Sequence, residues 1–136
     1  MVTYEIIEHP SELRIRVYWK SIEEIFTNAG KVIWKILKTT PFPRTNKNIH
    51  LIKIKSSDMN NLLIDFLSEI LTYSHINKSI YTKFNIKSIQ ETEITAEIFW
   101  YRVQWFDEDI KAVTYQDVNI MKTGRFYFVS DFVLDV

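Results

Sequence analysis

Glu12, Lys111, Asp135 and Val136 are the residues of this 136-residue chain whose types and positions could do chemistry together. Glu12 stands at the start of one predicted strand. Asp135 is penultimate in another and is followed by Val136, whose α-carboxylate adds oxygen donors. Carboxylates from two strand ends plus a terminal carboxylate make an all-oxygen set suited to a hard divalent cation, Mg²⁺ or Ca²⁺, with Mn²⁺ as a further option. Lys111, within Asp109-Ile110-Lys111-Ala112-Val113-Thr114-Tyr115, would balance that charge or engage a phosphate. Pattern alone leaves plainer readings open: a solvated near-terminal aspartate, and a strand lysine that guards a sheet edge.

Other chemistries have little to build on. Gly30 and Gly124 are the only glycines, so a loop cradling phosphates through successive glycine amides is missing. There is no H-E-x-x-H, G-x-S-x-G or EF-hand pattern, which argues against a conventional hydrolase or kinase. Without cysteine the chain has no disulfide, thiolate nucleophile or sulfur-based zinc site. His9, His50 and His75 are isolated in sequence; for His50 and His75 a structural or merely exposed role is the simpler expectation.

The elements that must position these residues follow from periodicity. Thr3 to Glu8 and Leu13 to Trp19 read as strands joined by His9-Pro10-Ser11-Glu12, and in the second Leu13, Ile15, Val17 and Trp19 share a face. Ser21 with Glu24 three residues on reads as a capping box ahead of a stripe of Ile22, Ile25, Phe26, Ala29, Ile33, Ile36 and Leu37. Residues 39–48, with Pro41 and Pro43, read as a loop, and Ile49 to Lys55 as a third strand. Ser57 or Asp58 is expected to cap a second helix with the stripe Met59, Leu62, Leu63, Phe66, Ile70 and Leu71. Ile80 to Ile89, Glu91 to Trp105, Asp109 to Met121 and Gly124 to Val136 then read as strands. Turns are expected near Ser88-Ile89-Gln90, Asp107-Glu108 and Lys122-Thr123-Gly124. In the last strand Phe126, Phe128, Phe132 and Leu134 share one face and Asp131, Val133 and Asp135 the other. No repeat or linker divides the chain, so residues 1–136 are expected to form one α+β domain: a largely antiparallel or mixed β-sheet packed with two α-helices. Most aromatics, among them Phe26, Trp34, Phe66 and Phe99, are expected in the core.

Seventeen basic residues balance seventeen acidic ones, so a bulk positive field for nucleic acid is absent. Lys31, Lys35, Lys38, Arg44 and Lys47 gather locally; they are expected to complement a helix C-terminus and remain solvated, without exposed aromatics between them. No apolar run is long enough to span a bilayer, and the start carries no secretory pattern, which points to the cytosol.

Three blocks then carry a resemblance. Tyr4-Glu5-Ile6-Ile7-Glu8-His9, Ile15-Arg16-Val17-Tyr18 and residues 20–29 resemble the N-terminal signature of the archease family; residues 61–71 resemble its second helix. Lys111-Ala112-Val113-Thr114-Tyr115 with the terminal Leu134-Asp135-Val136 is the most specific match. The resemblance implies an α+β fold and a non-catalytic accessory role. The implied partner is an RtcB-type RNA ligase that joins RNA ends in tRNA splicing after transferring GMP from GTP to its own histidine. Archeases stimulate that guanylylation and support multiple turnover. The family's functional residues, an aspartate of an H-T-A-D loop, the lysine of K-A-V-T-Y and the penultimate aspartate, fall here on Glu12, Lys111 and Asp135. The implied contact with tRNA is only through the ligase, and no membrane is involved; neither oligomeric state nor docking surface follows. The H-T-A-D loop reads His9-Pro10-Ser11-Glu12, and Gln116 stands where many members carry histidine. The stretch from Trp105 to Asp109 is shorter than the family's usual loop.

Two further readings stand beside this one. The first is a chaperone-like RNA- or protein-binding module without a metal-dependent role, using the aromatic sheet or the Lys31–Lys47 patch. The second is a stand-alone metal-dependent phosphohydrolase, disfavoured because no histidine cluster and few convergent carboxylates are present.

Overall fold

In the computed structural model, residues 4–9, 11–124 and 127–136 are described. They form β1 (Tyr4–His9), β2 (Glu12–Trp19), α1 (Ile22–Leu37), β3 (Asn48–Lys55), α2 (Met59–Asn77), β4 (Ser79–Gln90), β5 (Glu93–Arg102), β6 (Ala112–Thr123) and β7 (Tyr127–Asp135). The expected starts at Thr3, Pro10 in the first connection and Phe126 on the last strand's apolar face lie outside the described residues.

The α+β expectation holds, with one refinement. The strands divide into two sheets, β1-β2-β7-β6 and β3-β5-β4, and every pairing is antiparallel. The two helices touch strands of both sheets, and one core joins Ile15, Val17, Phe132 and Leu134 of the first sheet to Ile52, Ile94, Ala96 and Ile98 of the second. A single sheet could not cover both apolar helix faces; two sheets enclose them.

Local chemistry sets the helix starts. The Ser21 hydroxyl accepts from the Glu24 amide at 3.2 Å. The Glu24 carboxylate closes the cap on that same hydroxyl, at 2.9 Å, and not on the Ser21 amide that a reciprocal box would use. Asp58, not Ser57, caps α2 by accepting from the Asn61 amide at 2.8 Å. Ser57 instead accepts from the Asn61 side chain at 2.7 Å. Gly30 of α1 permits a close approach: a Cβ there would lie 2.7 Å from the Phe84 ring, which is itself packed on Phe66.

The late strand boundaries differ from expectation for identifiable reasons. β5 stops at Arg102, and residues 103–111 form an irregular segment. That segment is held by the Asp107 amide donating to the Leu37 carbonyl at 2.8 Å and the Val103 amide donating to the Lys78 carbonyl at 2.9 Å. Backbone groups used this way cannot extend a ladder. The β4–β5 turn falls at Glu91-Thr92, since Gln90 pairs with Glu93. No helix among the described residues is long and apolar enough to cross a membrane.

Candidate functional site

β2 and β7 are the two interior strands of the four-stranded sheet, and their register decides what meets at its end. Glu12 pairs directly with Asp135, and Asp135 pairs on its other side with Ala112. Directly opposed residues of antiparallel strands project from the same face, with Cα atoms roughly 4.5–5.5 Å apart. Glu12 and Asp135 are therefore neighbours on one face, both half-buried. Leu13, Ile15 and Val17 of β2, and Leu134 and Phe132 of β7, occupy the opposite face and turn into the core or against it. Burial of those residues fixes the register, because a slip of one residue would carry them into water.

Main-chain hydrogen bonds tie the remaining pieces to this row. The Lys111 amide donates to the Asp135 carbonyl at 2.7 Å, and the Val136 amide donates to the Ser11 carbonyl at 3.1 Å. Ser11, just before Glu12, has φ of 66°, a left-handed conformation that a serine adopts only when its surroundings impose it. Four expected residues are thus adjacent along the backbone. Lys111 precedes the first residue of β6, so the strand pleat does not dictate its side, and its side chain is exposed.

The donor set can be judged from what surrounds it. Two opposed carboxylates supply hard oxygen. Thr114, opposite Val133 and so diagonal to Asp135 on this face, has a buried hydroxyl that makes no hydrogen bond among the described residues. No group of three or more histidine, cysteine, aspartate or glutamate side chains gathers for a metal among the described residues. Two opposed carboxylates are the kind of oxygen donors a hard cation takes, and by themselves they fall short of the roughly six to eight oxygens such a cation needs. Along the same face the positive charge of Arg16 is taken up by Asp131, through two hydrogen bonds of 2.8 and 3.1 Å. Asp131 also holds the guanidinium above its ordinary pKa.

One feature of the lysine-bearing strand was not foreseen. Between Thr114 and Asn119, β6 advances five residues while β7 advances two, from Val133 to Asp131. This bulge carries Tyr115, whose hydroxyl donates to the Asp65 carboxylate on α2. That bond raises the phenol's pKa. The Asn60 side chain accepts from the Ile120 amide at 2.8 Å, a second clamp between α2 and β6. The bulge re-aims the strand that begins at Lys111 and fastens it to a rigid helix. A bulge leaves no trace in an alternating pattern, though the polar run Tyr115-Gln116-Asp117 was a signal of broken alternation.

The chain from 4 to 136 matches the model of the Archease protein family (MTH1598/TM1083). The chain belongs to the archease family. Protein archease of Methanosarcina barkeri is 30% identical over 129 residues, covering 89% of this chain and 88% of that protein. Protein archease of Sulfurisphaera tokodaii is 27% identical over 143 residues, covering the whole of both. The solution structure of Methanobacterium thermoautotrophicum protein 1598 superposes with a TM-score of 0.76 at 19% identity, covering 98% of this chain and 99% of that one. The Thermotoga maritima crystal structure, described as an archease and possible chaperone, gives 0.70 at 14% identity, over 96% of this chain and 94% of that one. At those identities the two structures establish the archease fold.

Two expectations about individual side chains need revision or detail. In the basic group at and after the end of α1, Lys35, Arg44 and Lys47 are exposed as expected and Lys38 is the exception. Lys38 is only 4% exposed and lies 4.0 Å from the Trp105 ring centre, Arg44 stands over Phe42 and Trp34, and Lys47 over Phe99. Aromatic surface that was expected in the core comes up between the charges, because the loop from Pro41 to Pro43 folds back over α1. Of the histidines expected to be structural or exposed, His50 lies against Tyr73 in a tilted pair with ring centres 4.4 Å apart, and His75 meets the Ile110 carbonyl at 3.0 Å.

Proposed function

We propose that this archease is a non-catalytic accessory protein that stimulates guanylylation and multiple turnover of an RtcB-type RNA ligase in tRNA splicing. In this reading Glu12, Asp135 and the Val136 carboxylate hold a divalent metal, Ca²⁺, Mg²⁺ or Mn²⁺, beside Lys111. The observation that carries the reading is the pairing of Glu12 with Asp135, with the Lys111 amide bonded to the Asp135 carbonyl. It supports the reading because three residues separated by up to 123 positions in the chain would act as one charged cluster.

Phosphoryl transfer is accelerated chiefly by positioning and by neutralising charge on the transferred group. When bound, the metal would supply Lewis-acid stabilisation of phosphate oxygens. The Lys111 ammonium, exposed on its stem, is free to reach a phosphate on a docked partner. Glu12 and Asp135 stay on the strand ends and provide the fixed frame against which the partner's site is completed. In this reading the ligase is the direct partner for the carboxylate–lysine site, and the setting is the cytoplasm.

The test is a guanylylation time course of the ligase from the same organism, with GTP and with ATP, with and without this protein. The expected result is faster formation of ligase–nucleotide adduct and more than one ligation per ligase molecule only when the protein is present. Equal rates with and without it would refute the reading.

A further inference from the structure

A second concave feature lies away from the carboxylates, between the loop after α1 and the end of β5. It is a cleft of about 700 Å³ whose lining includes Lys38, Phe42, Trp100, Arg102, Gln104 and Trp105 and contains no carboxylate. We propose that this cleft binds a nucleotide of single-stranded nucleic acid, stacking its base on Trp105 and meeting its phosphate with Arg102 and Arg44.

Trp105 is built as a platform. It lines the cleft and is 54% exposed, with the Lys38 ammonium 4.0 Å from the ring centre. The indole N–H donates to Asp107 at 2.9 Å, and Asp107 is fixed in turn by the amides of Thr39 and Thr40, each at 2.8 Å. A ring held from below by a cation and from its edge by a hydrogen bond loses little freedom when a base stacks on it.

The charge is placed for a phosphate. Arg102 is exposed at the end of β5, and its side chain makes no hydrogen bond or ion pair among the described residues. Arg44 is exposed beside the cleft, 4.8 Å from the Phe42 ring centre. Planar guanidiniums suit bidentate phosphate contact. The side chains of Gln104, Asn46 and Asn48 add donors and acceptors at the rim for base edges. A cleft of this size accommodates a nucleotide, and aromatic walls with flanking cations are the recurring solution for single strands. An acidic peptide could use the cations but would leave the exposed indole unused.

Trp105 and Lys111 are six residues apart, so their Cα atoms lie within roughly 20 Å of each other. The cleft includes none of the carboxylate-site residues, and its test needs no ligase.

The experiment is fluorescence anisotropy of a labelled ten-nucleotide oligouridylate titrated with the full chain at low and at moderate salt. Competition by unlabelled UMP and by a poly-glutamate peptide runs alongside. Binding should weaken steeply with salt, and Arg102→Ala should lower the slope of log K against log salt by about 1. Trp105→Ala should weaken binding at least about fivefold. Because Trp105 also packs on Lys38, Arg102→Ala serves as the variant that touches no internal bond. UMP competing as well as the ten-mer, base for base, would identify a free nucleotide as the ligand; much tighter binding of the ten-mer would identify a strand. No binding at low salt, unchanged affinity in both variants, or displacement by poly-glutamate but not by UMP would overturn the proposal.

Discussion

Lys111→Ala is expected to reduce stimulation of ligase guanylylation by about 10²–10³-fold, the usual loss when one preorganised charge-stabilising group is removed from a phosphoryl- or acyl-transfer site. The fold should survive, because the described structure uses Lys111 through its amide, which alanine keeps, while the side chain is exposed. Lys111→Arg should recover part of the effect, since the charge returns with a different reach and hydrogen-bond geometry. Guanylylation rates of the ligase with each variant, read beside far-UV circular dichroism of the variant alone, separate loss of charge from loss of structure. Full stimulation by Lys111→Ala would remove the lysine from the mechanism.

The second large effect concerns stability. Asp107 accepts hydrogen bonds from the Thr39 and Thr40 amides, both hydroxyls and the Trp105 indole, and stands 3.6 Å from the buried Lys38 ammonium. Asp107→Ala would leave these donors without an acceptor and Lys38 with only the Thr40 hydroxyl, at 3.0 Å, and the Trp105 ring. A buried cation stripped of its counterion is among the costliest single changes in a small domain. The urea midpoint of Asp107→Ala should fall well below that of Thr40→Ala, which removes only one donor side chain. The Thr40 amide, first among several donors, holds the Asp107 carboxyl well below the usual carboxylate range. A carboxylate depressed in the folded state stabilises fully above its unfolded pKa of about 3.9 and progressively less as pH falls below it. Wild type and Asp107→Ala should therefore differ most near neutral pH and converge in acid. A gap that stays constant from pH 7 to pH 3 would contradict this account.

Much of the architecture was legible because the apolar periodicities were strong. The stripe from Ile22 to Leu37 and the serine before it located α1 to the residue, and the alternation from Leu13 to Trp19 oriented β2. The partition into two sheets was not legible, since strand periodicity says which face is buried and nothing about which strand is the neighbour. The same limit applied to Glu12 and Asp135. Their opposition depends on a β2–β7 pairing between the two ends of the chain, a contact of 123 residues' separation. Lys38 was misjudged because local sequence makes a lysine after a helix look solvated. Its burial depends on Trp105 and Asp107, far along the chain and brought over by the Asp107–Leu37 main-chain bond. The β6 bulge was invisible for a related reason: extra residues in a strand are defined only against the partner they fail to match.

The claim on which the functional reading turns is that Glu12 and Asp135 together hold a hard cation. Isothermal titration of the metal-free chain with Ca²⁺, Mg²⁺ and Mn²⁺ measures it directly. The account predicts one site per chain, weakened at least about tenfold by Asp135→Asn and again by Glu12→Gln, and retained in Lys111→Ala. Absence of binding in the wild type, or equal affinity in the wild type and both carboxylate variants, would contradict it.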